Sequence, residues 1–276
     1  MSICKASRDE PYMLGRDYQA SARLATLQLL IHATLGYLIH PSVSLPDREL
    51  TKELPTSARL DGFDISDEQY PPESWYGENV SLSKLDIFKP LPEELKGRYD
   101  VVHLRYFMTI VRDDTMQVVV DNLNAMLSKL HYHLQSSKVI DDGEEPGGYL
   151  QWVERDWLSK FPQSASSTDD PHTQLTCYLR RFWSPTNWIN EIPKYFQKSG
   201  LSVVAYDTHT PLPIYRKPWN EDNLIGWWAA GERIPDEKER KWFQELHAKA
   251  ATNAAKGWYV DWELIICVGR KGLHET

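Results

Sequence analysis

Between Gly36 and Gly62 the chain has no glycine at all, although 14 are spread over its 276 residues. The backbone there lacks the residue that most readily takes left-handed dihedrals and lets a ligand approach the main chain. Cysteine is scarce too. Cys4, Cys177 and Cys267 are odd in number and far apart, so they build neither a disulfide framework nor a zinc spacing, and they point to a reducing, cytoplasmic setting. No apolar run approaches the roughly 20 residues that span a bilayer. The longest candidate, residues 24–39, is broken by Thr26, Gln28, His32 and Thr34. No cationic stretch followed by an apolar one opens the chain, so no secretory signal is expected. Positive charge is in deficit: 31 Lys and Arg stand against 39 Asp and Glu, a formal net charge of −8, which argues against nucleic acid as a partner.

What is present is an alternation of short apolar runs and amphipathic helices. Residues 58–63 form a run that ends in Asp64, residues 80–85 form a second that ends in Asp86, and residues 100–104 form a third that runs into Arg105. Short buried strands that each deliver a polar side chain to their carboxyl end describe a ligand crevice. Around them, residues 12–37 carry apolar side chains at three- and four-residue spacing and predict a helix that Pro41 ends, with a possible break near Ser21; residues 115–130 predict another. Residues 47–54 have room for two helical turns, and residues 131–147 are a polar, turn-rich loop. Further strands are expected at 148–154, 201–207 and 259–270, with helices over 187–199 and most of 223–256. The last two strands suggest an antiparallel pair closing a parallel sheet.

Several motifs then make the chain similar to a known family. They are Leu14-Gly15-Arg16-Asp17-Tyr18 with Ser21-Ala22-Arg23-Leu24, Leu35-Gly36-Tyr37, His40-Pro41-Ser42, Asp61-Gly62-Phe63-Asp64-Ile65-Ser66, Tyr99-Asp100-Val101-Val102-His103-Leu104-Arg105 and Pro146-Gly147-Gly148-Tyr149-Leu150-Gln151-Trp152. Together they resemble the fungal class I S-adenosylmethionine-dependent methyltransferases of secondary metabolism, the LaeA-like group. The resemblance implies an α/β, Rossmann-like, mostly parallel sheet with helices on both faces and an antiparallel C-terminal strand. It implies a helical segment over 1–40 ahead of a methyltransferase-like domain over 41–276.

Carried over by position, Asp64 with Ile65 would meet the ribose of S-adenosylmethionine, and Asp86 would accept from its adenine, with Ile87 and Phe88 packing the ring. His103 and Arg105 would face the transferring methyl or its acceptor. Acids at strand ends also cap helices, and a histidine at such a position is often structural, so these readings stand side by side.

One departure is large. In this family the first strand ends in an acid followed by a glycine-rich loop whose N–H groups cradle the methionine half of the cofactor. Here Ser42-Val43-Ser44-Leu45-Pro46 passes straight to Asp47-Arg48-Glu49-Leu50, as if that strand and loop were degraded. Two functions follow: a working methyltransferase, or a methyltransferase-like protein with weak or no cofactor binding that steers an aromatic or polyketide-type intermediate, alone or beside a pathway enzyme. A LaeA-like regulatory role is a third. The chain holds 11 Trp, and Trp152, Trp157, Trp183 and Trp188 are candidates for an aromatic substrate pocket. His131-Tyr132-His133 has only distant acids near it, so no metal site is expected.

Overall fold

The structure is a computed structural model and describes residues 14–44, 58–129, 147–156, 170–179, 187–259 and 262–272. Among these residues the strands and α-helices follow in the order α1 (Tyr18–Leu35), β1 (Leu60–Asp64), β2 (Val80–Lys84), β3 (Val101–Arg105), α2 (Met116–Met126), β4 (Tyr149–Asp156), α3 (Pro171–Leu179), α4 (Ile192–Lys198), β5 (Leu201–His209), α5 (Arg216–Gly231), α6 (Glu237–Ala255) and β6 (Glu263–Lys271).

The helices begin and end where local chemistry allows. Asp17 caps α1 by accepting from Ala20 N, and Gly36, at φ 75°, closes it by donating to His32 O. The helix is continuous through Ser21 and stops five residues before Pro41 because the left-handed glycine ends it first. α2 stops at Met126, earlier than its apolar spacing suggests. The N–H groups of Gly97, Arg98 and Tyr99 donate to the carbonyls of Ala125 and Met126, so the approach to β3 takes those acceptors. Residues 187–199 divide into a short 3-10 turn and α4, whose first turn holds Pro193, a residue with no N–H to donate. Helix is broken between α5 and α6 by Pro235 and by Asp236, which caps α6 through Glu239 N. No expectation covered α3. The helical turns foreseen over 47–54 and the loop over 131–147 fall almost wholly outside the described residues.

The strands form a two-stranded parallel sheet, β1–β2, and a four-stranded mixed sheet in the order β3-β4-β6-β5. β3 and β4 run parallel, while β6 is antiparallel to both of its neighbours. The fold is thus α/β with an antiparallel C-terminal strand inserted beside β5, as the two late apolar runs suggest. Every residue of β4 is buried, which accounts for its lack of alternating polarity: both of its faces are covered. On one face, Trp152 packs edge-on to Trp188 and a Cβ at Gly269 would strike Phe196 of α4. On the other, Gln151 reaches the backbone of Leu38 and His40 beyond α1, and Arg155 meets Trp219 of α5. One hydrophobic cluster runs from α1 through β4 and β6 to α6.

Candidate functional site

The acids expected at a ligand edge stand at the carboxyl ends of paired strands. Asp64 closes β1 and is opposite Lys84 of β2, and Asp86 follows two residues later. Asp64 is exposed and its Oδ1 accepts from Ser66 N at 2.9 Å. Asp86 Oδ1 accepts from Phe88 N at 3.1 Å, and its other oxygen lies 3.1 Å from Lys89 Nζ. Ile65 is exposed, whereas Ile87 and Phe88 pack against the core. Two carboxylates and three apolar side chains at one edge suit a ribose and an adenine ring. No glycine lies between Gly36 and Gly62, and residues 45–57 are outside the described set. The described residues thus test the fit to S-adenosylmethionine for its adenosine half alone.

β1 is tied to the approach of β3 by side chains. The carboxylate of Asp61, 7% exposed, accepts from Tyr99 OH at 3.0 Å and lies 2.9 Å from Arg98 Nη2. Phe63 meets the Tyr99 ring edge-on at 6.1 Å. Burial first and Asp61 second push the Tyr99 hydroxyl up to about 12. Among the described residues no ladder hydrogen bonds join β1 to β3.

His103 and Arg105 share one face of β3. Arg105 Nε donates to His103 Nε2 at 2.8 Å, and Gln151 Nε2 is 3.3 Å from the same nitrogen. Burial first and Arg105 second push His103 down to about 3. The imidazole is neutral at pH 7 and its acceptor nitrogen is occupied, so it holds Arg105 in place. Gln151 continues the network to the His40 backbone N–H at 2.7 Å, and His40 Nε2 lies 2.8 Å from Asp207 Oδ2 on β5.

Trp152 and Trp188 come together, 5.5 Å between centroids, and both are buried. Their N–H groups turn inward, Trp188 to Val111 O and Trp152 to Glu154 Oε2. They are core side chains in this packing. Trp157 and Trp183 lie outside the described residues, as does His131-Tyr132-His133. Among the described residues no group of His, Cys, Asp and Glu is placed to hold a metal.

A cavity of about 110 Å³ opens at the carboxyl ends of β3 and β4, walled by α1 and α5. Its apolar side comes from Leu24, Leu27, Met108 and Trp227, and its polar side from Arg23, Tyr106, Arg155 and Asp222. Tyr106 follows directly on β3 with φ at 58°, a left-handed dihedral that a bulky residue rarely adopts. Its N–H donates to Val153 O at 3.1 Å, which fixes the turn. The Arg155 guanidinium lies 5.7 Å from the Tyr106 ring and 5.1 Å from that of Trp262. Asp222 is 3% exposed. Burial raises its pKa, and Arg155 and Arg23 oppose the shift. Asp222 Oδ1 and the Tyr106 hydroxyl have no hydrogen-bond partner among the described residues.

Sequence reasoning passed over this cavity. Arg23 belongs to a motif that carried the family resemblance, and Tyr106 is the next residue after a strand end already marked as ligand-facing; either was a usable signal. Asp222 sits in a polar helical run, Asn220-Glu221-Asp222-Asn223, with nothing to separate it from solvent-facing neighbours.

The site so described is a cavity at the carboxyl edge of the parallel strands of an α/β protein. No family model matches the chain. It is similar to the N-methyltransferase tcpN of Claviceps purpurea, 32% identical over 48% of this chain and 48% of that one. It is also similar to the methyltransferase grgD of a Penicillium species, 31% identical over 38% of this chain and 32% of the relative, and to the N-methyltransferase verN of Clonostachys rogersoniana, 33% identical over 36% and 29%. The matches thus span less than half the length of these fungal relatives. Among solved structures, phosphoethanolamine N-methyltransferase 2 of Haemonchus contortus in complex with S-adenosyl-L-methionine is 13% identical with TM-score 0.43, covering 78% of this chain and 43% of that one. The cyclase SpnF is 13% identical with TM-score 0.43, covering 79% and 68%. Likenesses this remote identify neither substrate nor reaction. No described helix is long and apolar enough to cross a membrane.

Proposed function

We propose that this chain is a methyltransferase-like protein of fungal secondary metabolism that binds a small aromatic or polyketide-type intermediate and binds S-adenosylmethionine weakly or not at all. The observation that carries the reading is the contrast at the carboxyl edge. A formed cavity stands at the ends of β3 and β4, while β1 and β3 lie in separate sheets beside a stretch with no glycine. Asp64, Ile65, Asp86, Ile87 and Phe88 would hold the adenosine half of the cofactor, which when bound supplies an electrophilic methyl group. The stretch that would meet the methionine half has no glycine to allow the backbone such a close approach. Arg105, held by His103, would face the intermediate. The protein would act on it by enclosure and desolvation, steering its reaction alone or beside a pathway enzyme.

Active methyl transfer is the second reading. The two acids at adjacent strand ends favour it, as do the names of the fungal relatives.

Calorimetric titration of the purified protein with S-adenosylmethionine and S-adenosylhomocysteine, repeated on Asp64→Ala, separates the two. We expect no saturable heat at about 1 mM ligand. A dissociation constant near ~10 μM that the variant loses would overturn the weak-cofactor reading.

A further inference from the structure

The cavity between α1, α5 and the ends of β3 and β4 carries more hydrogen-bond donors than its own surroundings use. Arg23 of α1, Thr109 in the turn after β3 and Asn223 of α5 line it. Each is half-buried, and among the described residues none of the three side chains has a hydrogen-bond or ion-pair partner. Their polar atoms are not among the enclosed, partnerless ones, so solvent reaches them and a ligand can as well. Three reachable donors from three separate elements thus border one space.

The rest of the lining limits what they can hold. Arg23 and Arg155 bring two positive charges to the cavity, and Asp222 brings at most one negative charge, so the space favours an anion. A guanidinium offers a planar fork of N–H groups that matches the two oxygens of a carboxylate, and a Thr hydroxyl and an Asn amide each add a donor. Leu24, Leu27 and Trp227 supply an apolar wall, which a bare inorganic anion would leave without contact. The ligand therefore has a hydrocarbon part. The cavity, about 110 Å³, is smaller than the ~150 Å³ engineered cavity that holds benzene, so that part is a short chain and not a ring.

We propose that this cavity binds a carboxylate carried on a short aliphatic chain, the acid end of a polyketide-type intermediate, with the carboxylate held by Arg23 and by the side chains of Thr109 and Asn223. The proposal rests on the small-molecule role above and names the part of the molecule that is gripped. The amino-acid half of S-adenosylmethionine also ends in a carboxylate, and the test separates the two sources.

The full chain is titrated at low salt with isobutyrate and with isobutyramide, which has nearly the same shape and no charge, and followed by nuclear magnetic resonance. Isobutyrate is expected to bind with a dissociation constant near ~1 mM, about tenfold or more tightly than the amide. Arg23→Gln should bring isobutyrate down to the level of the amide. Arg23 has no partner to leave behind, so the variant should keep the urea midpoint of the parent chain. Equal affinities for the two ligands, no saturable shift up to ~20 mM isobutyrate, or undiminished binding by the folded Arg23→Gln variant would each overturn the proposal. S-adenosylhomocysteine at about 1 mM should leave the affinity for isobutyrate unchanged. Competition would assign the carboxylate site to the amino-acid half of the cofactor and overturn the proposal. Tight S-adenosylhomocysteine binding without competition would overturn the weak-cofactor reading and leave this one standing.

Discussion

Among the described residues are two parallel strand pairs, β1–β2 and β3–β4, and they are packed in opposite ways. All eight residues of β4 are buried between helices. In β1 and β2, Leu60, Asp64, Ser81, Ser83 and Lys84 are exposed. Parallel pairs are ordinarily covered on both faces; among the described residues β1–β2 is tied to the rest of the molecule by contacts that include the Asp61 and Phe63 links to Tyr99 and Arg98. The expected nucleotide edge thus sits on the thinly supported half of the molecule, and the cavity sits on the well-packed half.

Breaking the well-packed half should give the largest effect. Trp152→Ala removes a buried ring from between β4 and Trp188 and is expected to cost about 3–5 kcal/mol, read as the urea midpoint of unfolding. An effect below ~1 kcal/mol would mean that β4 is not the centre of the core. Next, Asp61→Ala leaves the Tyr99 hydroxyl and Arg98 without their shared acceptor and should cost about 1–3 kcal/mol. Hydrogen exchange should then quicken in β1 and β2 while β4 and β6 keep their protection; uniform acceleration would erase the distinction between the halves.

The acid limb of stability comes third. His103 has a folded pKa of about 3 against an ordinary 6.5. A buried base with a depressed pKa contributes stability that is present above 6.5 and is lost as pH falls toward 3. His172, lowered to about 4 by burial, acts in the same sense. Glu154, raised to about 7 chiefly by burial, acts in the opposite sense: its contribution is full below 4.5 and is lost as pH rises through 7. His103→Gln should therefore flatten the fall between pH 6 and 4 by up to ~1.4 kcal/mol per pH unit, measured by urea midpoints in steps of pH. An unchanged slope would show that His103 is accessible to protons when folded. The smallest effect is expected on the thin half's surface, where Leu60→Ala, at a side chain 41% exposed, should shift stability by less than about 1 kcal/mol.

Much of the fold is legible in the chain because it rests on local patterns. The 3.6-residue spacing of Leu27, Leu30, Ile31 and Leu35 marks α1, and the apolar runs before Asp64 and Asp86 mark β1 and β2. Helix ends were less legible: α2 stops where the backbone of residues 97–99 takes its carbonyls, a contact between segments far apart in sequence. The site divides in the same way. Acids at strand ends can be seen in sequence, since a strand must deliver its last side chain to the sheet edge. The tryptophans could not be sorted, because indoles in a core and in a pocket have the same composition; only packing places Trp152 against Trp188 with both N–H groups satisfied inside.

By itself the sequence determined the order and type of most elements, the absence of glycine between Gly36 and Gly62, and the two acids at or just after the ends of β1 and β2. Each of these follows from neighbours within a turn or a strand. Tertiary structure alone decided that His103 accepts from Arg105, that β1–β2 stands apart from the main sheet, and that Arg23, Tyr106, Arg155 and Asp222 line one cavity. Those four residues come from α1, the end of β3, β4 and α5. Their meeting depends on how helices cross a sheet, and that is set by the packing of the whole core.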